Sequence, residues 1–313
     1  MDQGWEAETA DGEGERSKSK CRMSKHLDPK SPNPKHPSIP CPAARIVERR
    51  RMGHNGRMKP ILHVYALPKF SDPKELAGGT AVVIDVLRAA TTIVHALAAG
   101  ADEVAPCLEV ADALALAEKY PADEVVLGGE RHGLPIDGFQ LGNSPEDYVP
   151  EQVAGKTVIF TTTNGTRAMM HAQQADEILV ASFVNVSAVA RRLFDRERVH
   201  IICAGTDGNI TEEDVLLAGL LVERLQREGG MVYQQNAQAM TARETWMGAF
   251  AVPQAIGAEP IEPEKLAERL AQSVGGRNLV ELGLVADILA ASRIDRFDLV
   301  PRLDPKTFRI RAV

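Results

Sequence analysis

Four short apolar runs in this chain each end in residues that can do chemistry. AVVI leads into Asp85, with Arg88 three residues on, and DEVVL leads into Gly128, Gly129, Glu130 and Arg131. KTVIF opens onto Thr161, Thr162, Thr163, Asn164, Gly165 and Thr166, after which a helical pattern begins. RVHIICAG is followed by Thr206, Asp207 and Gly208, and then by Glu212, Glu213 and Asp214. Asp85, Glu130, Asp207, Glu213 and Asp214 are hard oxygen ligands suited to Mg²⁺, which takes one or two carboxylates and completes its shell with water and substrate oxygens. The TTTNGT turn offers hydroxyls and backbone N–H groups at a helix start, where the dipole favours an anion. Gly165 lets the backbone come close or take a positive φ. Arg88, Arg131 and Arg167 bring positive charge for a polyanionic ligand. The chemistry these residue types favour together is a divalent cation and a phosphate group.

Each group also has a structural reading. Asp85 at a strand end can cap the following helix, and Asn164 with Thr166 is an N-cap pattern. Thr211 followed by Asp214 matches a capping box. His95 and His171 lie inside helical patterns and read as ordinary packed or surface histidines. What favours a site is the recurrence of polar strand ends, whereas EVAPCL and DEILVA lead into blander residues.

The elements that must position these groups alternate. LHVYAL, GGTAVVIDVL, EVAPCL, DEVVLGGE, KTVIFTT, DEILVA and RVHIICAG read as strands. AATTIVHALAAGA, VADALALAEKY, TRAMMHAQQA, NVSAVARRLF and EEDVLLAGLLVERLQREG read as helices. Short, continuous, β-branched strands between helices predict an α/β fold of three layers, α/β/α, with a largely parallel or mixed central sheet. Ligands in such sheets bind outside the carboxyl ends of the strands, where the polar residues fall. Residues 230–300 read as mostly helical, and VPRLDPKTFRIRAV as one terminal strand.

Charge divides the chain. It carries 36 Lys+Arg and 43 Asp+Glu; residues 1–57 hold 12 and 8 of these, leaving 24 and 35 for the rest. Residues 1–58 also contain 6 of the 19 prolines and a single aromatic, Trp5. Such a segment cannot bury enough apolar surface to offset chain entropy, so a disordered extension is expected, followed by one α/β domain over 59–313. Met58 stands just before the first strand, where translation could also begin. The acidic body argues against nucleic acid as the main ligand, and no apolar run is long enough to span a membrane. Four cysteines without paired spacing form no disulfide framework or zinc motif, which makes a reducing cytoplasm the expected compartment. A homodimer is the default oligomer.

Several phosphate chemistries are excluded. There is no G-x-x-x-x-G-K-[ST] and no G-x-G-x-x-G. The second aspartate of an aspartyl-phosphate phosphatase opening would fall at Leu87. Neither Cys107 nor Cys203 has an arginine six residues later, as a cysteine phosphatase requires.

The blocks IDVLRAATTIVHALAAGA, GGERHGLPIDGFQLGNSP, FTTTNGTRAM and CAGTDGNITEEDVLLAG, in this order, resemble the 2-phosphosulfolactate phosphatase family. SVGGRNLVELG and ADILAASRIDRFDLVP are similar too, so the resemblance covers about residues 60–305. It implies a Mg²⁺-dependent hydrolase that converts (R)-2-phospho-3-sulfolactate to 3-sulfolactate and phosphate, as in coenzyme M biosynthesis. It also implies a family-specific α/β/α topology rather than a Rossmann domain.

A small substrate carrying phosphate, carboxylate and sulfonate would gather several cations. On this reading Mg²⁺ is held by some of Asp85, Glu130, Asp207 and Glu213, with Asp214 the weakest candidate. Asp85, Arg88, Glu130 and Asp207 form the catalytic set. Thr162, Thr163, Asn164, Gly165 and Thr166 cradle an acid group. Arg88, Arg131 and Arg277 pair with the others, and Asn143 and Ser144 join the substrate-binding set. Cys203 is either a nucleophile or a buried core thiol. The long loop Gly129–Pro145 lines or closes the site. Two alternatives stand beside this reading: a phosphatase for another 2-hydroxy-acid phosphate ester, and a non-catalytic anion-binding module.

Overall fold

The computed structural model describes residues 59–250 and 261–313. The segment expected to be disordered, 1–58, lies outside the described residues. Ten strands form a single mixed sheet among the described residues. They are β1 (Ile61–Tyr65), β2 (Thr80–Ile84), β3 (Glu103–Cys107), β4 (Val125–Gly129), β5 (Thr157–Thr161), β6 (Glu177–Ala181), β7 (Arg198–Cys203), β8 (Gln234–Gln235), β9 (Pro301–Asp304) and β10 (Arg309–Ala312). Their order is β4-β5-β3-β10-β9-β6-β2-β7-β1-β8.

Two parallel blocks make up most of the sheet. One is β6-β2-β7-β1-β8 and the other β4-β5-β3. Between them sits the β9–β10 hairpin, antiparallel to β6 on one side and to β3 on the other. The C-terminal segment is therefore two strands in mid-sheet rather than the single strand expected. Its turn is local chemistry: Asp304 Oδ1 accepts from the Lys306 N–H at 2.8 Å, and Phe308 takes φ 54. Three antiparallel steps separate β6 from β3, so the two blocks run in opposite senses along the ladder. Even so, residues at the carboxyl ends of β2 and β7 and of β4 and β5 border one cleft.

Helices cover both faces. α1 (Ala89–Ala98), α2 (Val110–Ala117), α3 (Pro150–Val153), α4 (Gly165–His171), α5 (Val186–Leu193) and α6 (Glu212–Glu228) alternate with the strands. α7 (Ala237–Phe250), α8 (Pro263–Ala271), α9 (Val274–Glu281) and α10 (Val285–Ala291) form the helical C-terminal part. The side-chain alternation of β2 sorts the layers. Val82 and Ile84 share a core with Val189 of α5, Leu217 and Leu221 of α6, and Trp246 of α7. Ala81 and Val83 face the other way, into a core with Ile93 of α1 and Met169 of α4. Leu266, Leu279 and Ile288 bring α8, α9 and α10 onto the first face, which sets the start of α9 beside the carboxyl ends of the strands. Fully buried side chains of this size contribute about 1.5–3 kcal/mol each by leaving water, enough to fix the layers. Among the described residues no helix is long and apolar enough to cross a membrane.

Candidate active site

The carboxyl ends of β2, β4, β5 and β7 meet in one cleft of about 360 Å³. Asp85 and Arg88 line it from β2, Glu130 from β4, Thr162, Thr163 and Asn164 from β5, and Thr206 and Asp207 from β7. A larger groove of about 710 Å³ opens at the amino ends of β2, β6 and β7. It holds none of the predicted site residues, so the chemistry belongs to the smaller cleft.

Local bonds show how each group is aimed. Asp85 is buried, and its Oδ1 accepts from the Ala89 N–H at 3.3 Å, so the helix-capping role is present. Its carboxylate also faces the cleft. Gly165 takes no positive φ; the close approach is what it provides. A Cβ there would lie 2.8 Å from Asp85 Oδ2 and 2.8 Å from Ala89 Cβ. Glu130 Oε1 accepts from the Thr163 N–H at 3.1 Å and Oε2 from the Gly133 N–H at 2.8 Å, tying the β4 end to the threonine turn. Asn164 does not cap α4 with its side chain. Its Oδ1 accepts from the Asp207 N–H at 3.3 Å, joining β5 to the β7 loop. Asp207 and His132, both on the cleft wall, have φ 50 and 54. Non-glycine residues adopt this region rarely, and such conformations gather at functional sites.

Other predicted residues sit elsewhere, for physical reasons. Asp214 Oδ1 accepts from the Val86 N–H at 2.9 Å and Oδ2 from the Gly205 N–H at 3.0 Å. It is a staple between the ends of β2 and β7, fully engaged by backbone donors. The capping box is also absent, since Thr211 makes no side-chain cap bond. Cys203 is completely buried among apolar side chains, and burial pushes its thiol well above the ordinary range, the opposite of what a thiolate nucleophile needs. Arg131 turns away from the cleft: its guanidinium donates to the Glu130 and Leu108 carbonyls and to Thr161 Oγ1. Arg277 is exposed and donates to the Gln272 carbonyl, and Arg167 is exposed outside the lining. Thr166 is buried behind Thr162, with the hydroxyls 3.4 Å apart. Ser144 Oγ donates to Asp287 at 3.0 Å. Glu213 lies beneath the cleft floor, where a Cβ on Gly275 would come within 2.2 Å of its Oε1.

Sequence reasoning missed one wall. Gly275, Asn278, Leu279, Glu281 and Leu282 of the α9 region line the cleft. A signal for it existed in SVGG, where Ser273 caps α9 by accepting from the Gly276 N–H at 3.0 Å. Asp287 was also missed, although an acid inside the apolar run VADILAA is conspicuous. Asn143 lines the cleft too; it is buried, and its Oδ1 has no partner among the described residues.

The donor set suits a hard cation. Asp85, Glu130, Asp207 and Glu281 line the cleft, against Arg88, which Asp287 already neutralises. Burial first, then the charges of Glu130 and Glu213, push the Asp85 carboxyl up to about 7. Among the described residues Glu213 Oε2 is buried without a hydrogen-bond partner. Unpaired carboxylates in low dielectric favour either a proton or a cation. Among the described residues no three His, Cys, Asp or Glu side chains are grouped to chelate a metal by themselves. Mg²⁺ does not require that, because a pair of carboxylates with substrate oxygens and water completes its shell.

The family model described as 2-phosphosulpholactate phosphatase matches residues 65–306. A probable 2-phosphosulfolactate phosphatase of Caldanaerobacter subterraneus subsp. tengcongensis is 37% identical over 244 residues, 78% of this chain and 95% of that protein. Proteins of the same description from Symbiobacterium thermophilum and Gloeobacter violaceus are 40% and 36% identical. Those matches cover 73% and 74% of this chain, and 92% and 93% of the relatives.

Proposed function

Since this chain belongs to the 2-phosphosulfolactate phosphatase family, we propose that it is a Mg²⁺-dependent phosphoric monoester hydrolase. Its substrate is (R)-2-phospho-3-sulfolactate and its products are 3-sulfolactate and phosphate, as coenzyme M biosynthesis requires. The observation that carries the metal dependence is the charge of the cleft. A multiply anionic ester does not enter a site lined by Asp85, Glu130, Asp207 and Glu281 unless a cation accompanies it.

Asp85 and Glu130 would hold Mg²⁺, which when bound polarises the phosphoryl group and offsets its charge. Glu130 is kept in place by the Thr163 and Gly133 N–H groups. Thr162, Thr163 and Asn164 bind the phosphoryl oxygens. Arg88, with Asn143 beside it on the lining, takes a non-reacting acid group. Asp207, exposed at the cleft mouth, orients the attacking water. That water's oxygen bonds to phosphorus as the bond from phosphorus to the C2 oxygen breaks, and the proton the water gives up, passed through the Asp207 carboxylate, ends on the leaving oxygen. Positioning and charge compensation carry such a reaction.

Phosphate release from a panel of 2-phospho-hydroxy acids, with Mg²⁺ or with chelator, tests this reading. Turnover should be highest on phosphosulfolactate, vanish with chelator, and fall at least about 100-fold in Asp85→Asn. Absence of metal-dependent turnover across the panel would sink it.

A further inference from the structure

Arg88 is the arginine on the cleft wall among the described residues, and its guanidinium is gripped by three segments. Nη1 donates to Asp287 Oδ2 at 2.7 Å and to Ser144 Oγ at 3.5 Å, and Nη2 donates to the Gly133 carbonyl at 2.8 Å. Nε–H has no protein partner among the described residues. The Arg88 and Asp287 side chains are 4% and 7% exposed, so solvent does not loosen the pair. Asp287 is itself fixed, since the Ser144 hydroxyl donates to the same Oδ2 at 3.0 Å. It sits in the first turn of α10 beside buried Ile288.

A guanidinium is a planar fork whose usefulness depends on where the plane points. Here a carboxylate, a hydroxyl and a carbonyl take three of the five N–H donors, leaving Nε–H and one Nη2–H on a side chain of the ligand-bearing wall. An ion pair that served only to anchor α10 would not need the cleft arginine, because apolar contacts already seat that helix.

We propose that Asp287 is a positioning residue: it orients the Arg88 guanidinium so that its free Nε–H donor meets an acid group of the bound ligand. The helical C-terminal part thereby completes the site. The inference deepens the phosphatase reading and rests on it for the identity of the ligand.

A double-mutant cycle tests it. Asp287→Asn, Arg88→Gln and the double variant are assayed for Mg²⁺-dependent phosphate release, well below their melting temperatures. Asp287→Asn alone should lower kcat/KM about tenfold or more, chiefly through KM, yet change the Arg88→Gln background less than about twofold. Losses that multiply would assign Asp287 a purely structural role and overturn the inference. Ser144→Ala, which removes a hydrogen bond but no charge, covers the case in which Asp287→Asn fails to fold. Its smaller loss must likewise vanish in the Arg88→Gln background.

A second readout needs no turnover. The ¹⁵N-coupled Nε–H resonance of Arg88, assigned by its disappearance in Arg88→Gln, should shift and exchange more slowly in the wild type when Mg²⁺ and inorganic phosphate are added. In Asp287→Asn, or in Ser144→Ala if that variant must stand in, it should exchange faster and lose the shift. An unchanged resonance also overturns the inference. A wild-type chain with this resonance behaviour but no phosphatase activity would sink the functional reading alone.

Discussion

Gly165→Ala separates site geometry from stability more sharply than any charge substitution. The added methyl would meet Asp85 Oδ2 and Ala89 Cβ at 2.8 Å each, and Thr162 Oγ1 at 3.4 Å. The first two contacts are about 0.5–1 Å too close for unstrained packing, so the start of α4 or the Asp85 carboxylate must move by about that much. Overpacking costs about 1–3 kcal/mol, while replacing glycine by alanine in a helix returns up to about 1 kcal/mol. The net loss of stability is then about 0–2 kcal/mol, a few degrees in Tm for a chain of this size. Displacing a catalytic group by about 1 Å costs on the order of 100-fold in turnover. Phosphate release at saturating Mg²⁺, measured beside a thermal melt, should therefore show activity falling near 100-fold with Tm nearly unmoved. Wild-type turnover in Gly165→Ala would refute both the close contact with Asp85 and that carboxylate's role.

Cys203→Ala should leave kcat within about twofold, at a stability cost of roughly 1 kcal/mol or more for the lost buried sulfur; loss of turnover in the folded variant would restore the thiol as a nucleophile. His95 is buried, and desolvation lowers its imidazole to about 4 from 6.5. The unfolded chain therefore binds more protons between those values, and stability present above pH 6.5 is lost as pH falls toward 4, by at most about 3 kcal/mol. Urea melts across that window should show a flatter pH dependence in His95→Gln, and an identical slope would exclude His95 as the source.

The strands and their polar ends are legible in the chain because both are local. Apolar, β-branched runs such as AVVI and KTVIF announce buried strands, and a carboxylate or hydroxyl immediately after each marks its carboxyl end. That these strand ends carry a ligand is expected from the rule for such sheets, but their convergence from two oppositely running blocks was decided by the folded sheet. Direction and partnership are different. Arg131 and Arg88 look alike in sequence, yet one turns toward backbone carbonyls and the other pairs with Asp287, 199 residues away. Asp214 and Glu213 are neighbours, but the helical turn gives one to two backbone N–H groups and leaves the other with an oxygen that has no partner among the described residues.

The types and order of the reactive groups were thus set by the sequence itself, through patterns only a few residues long. Which groups face the cleft, which serve as staples, and that the β9–β10 hairpin enters mid-sheet were decided only in three dimensions. Each of those choices depends on a partner distant along the chain, and a short stretch of residues carries no information about which partner burial will bring.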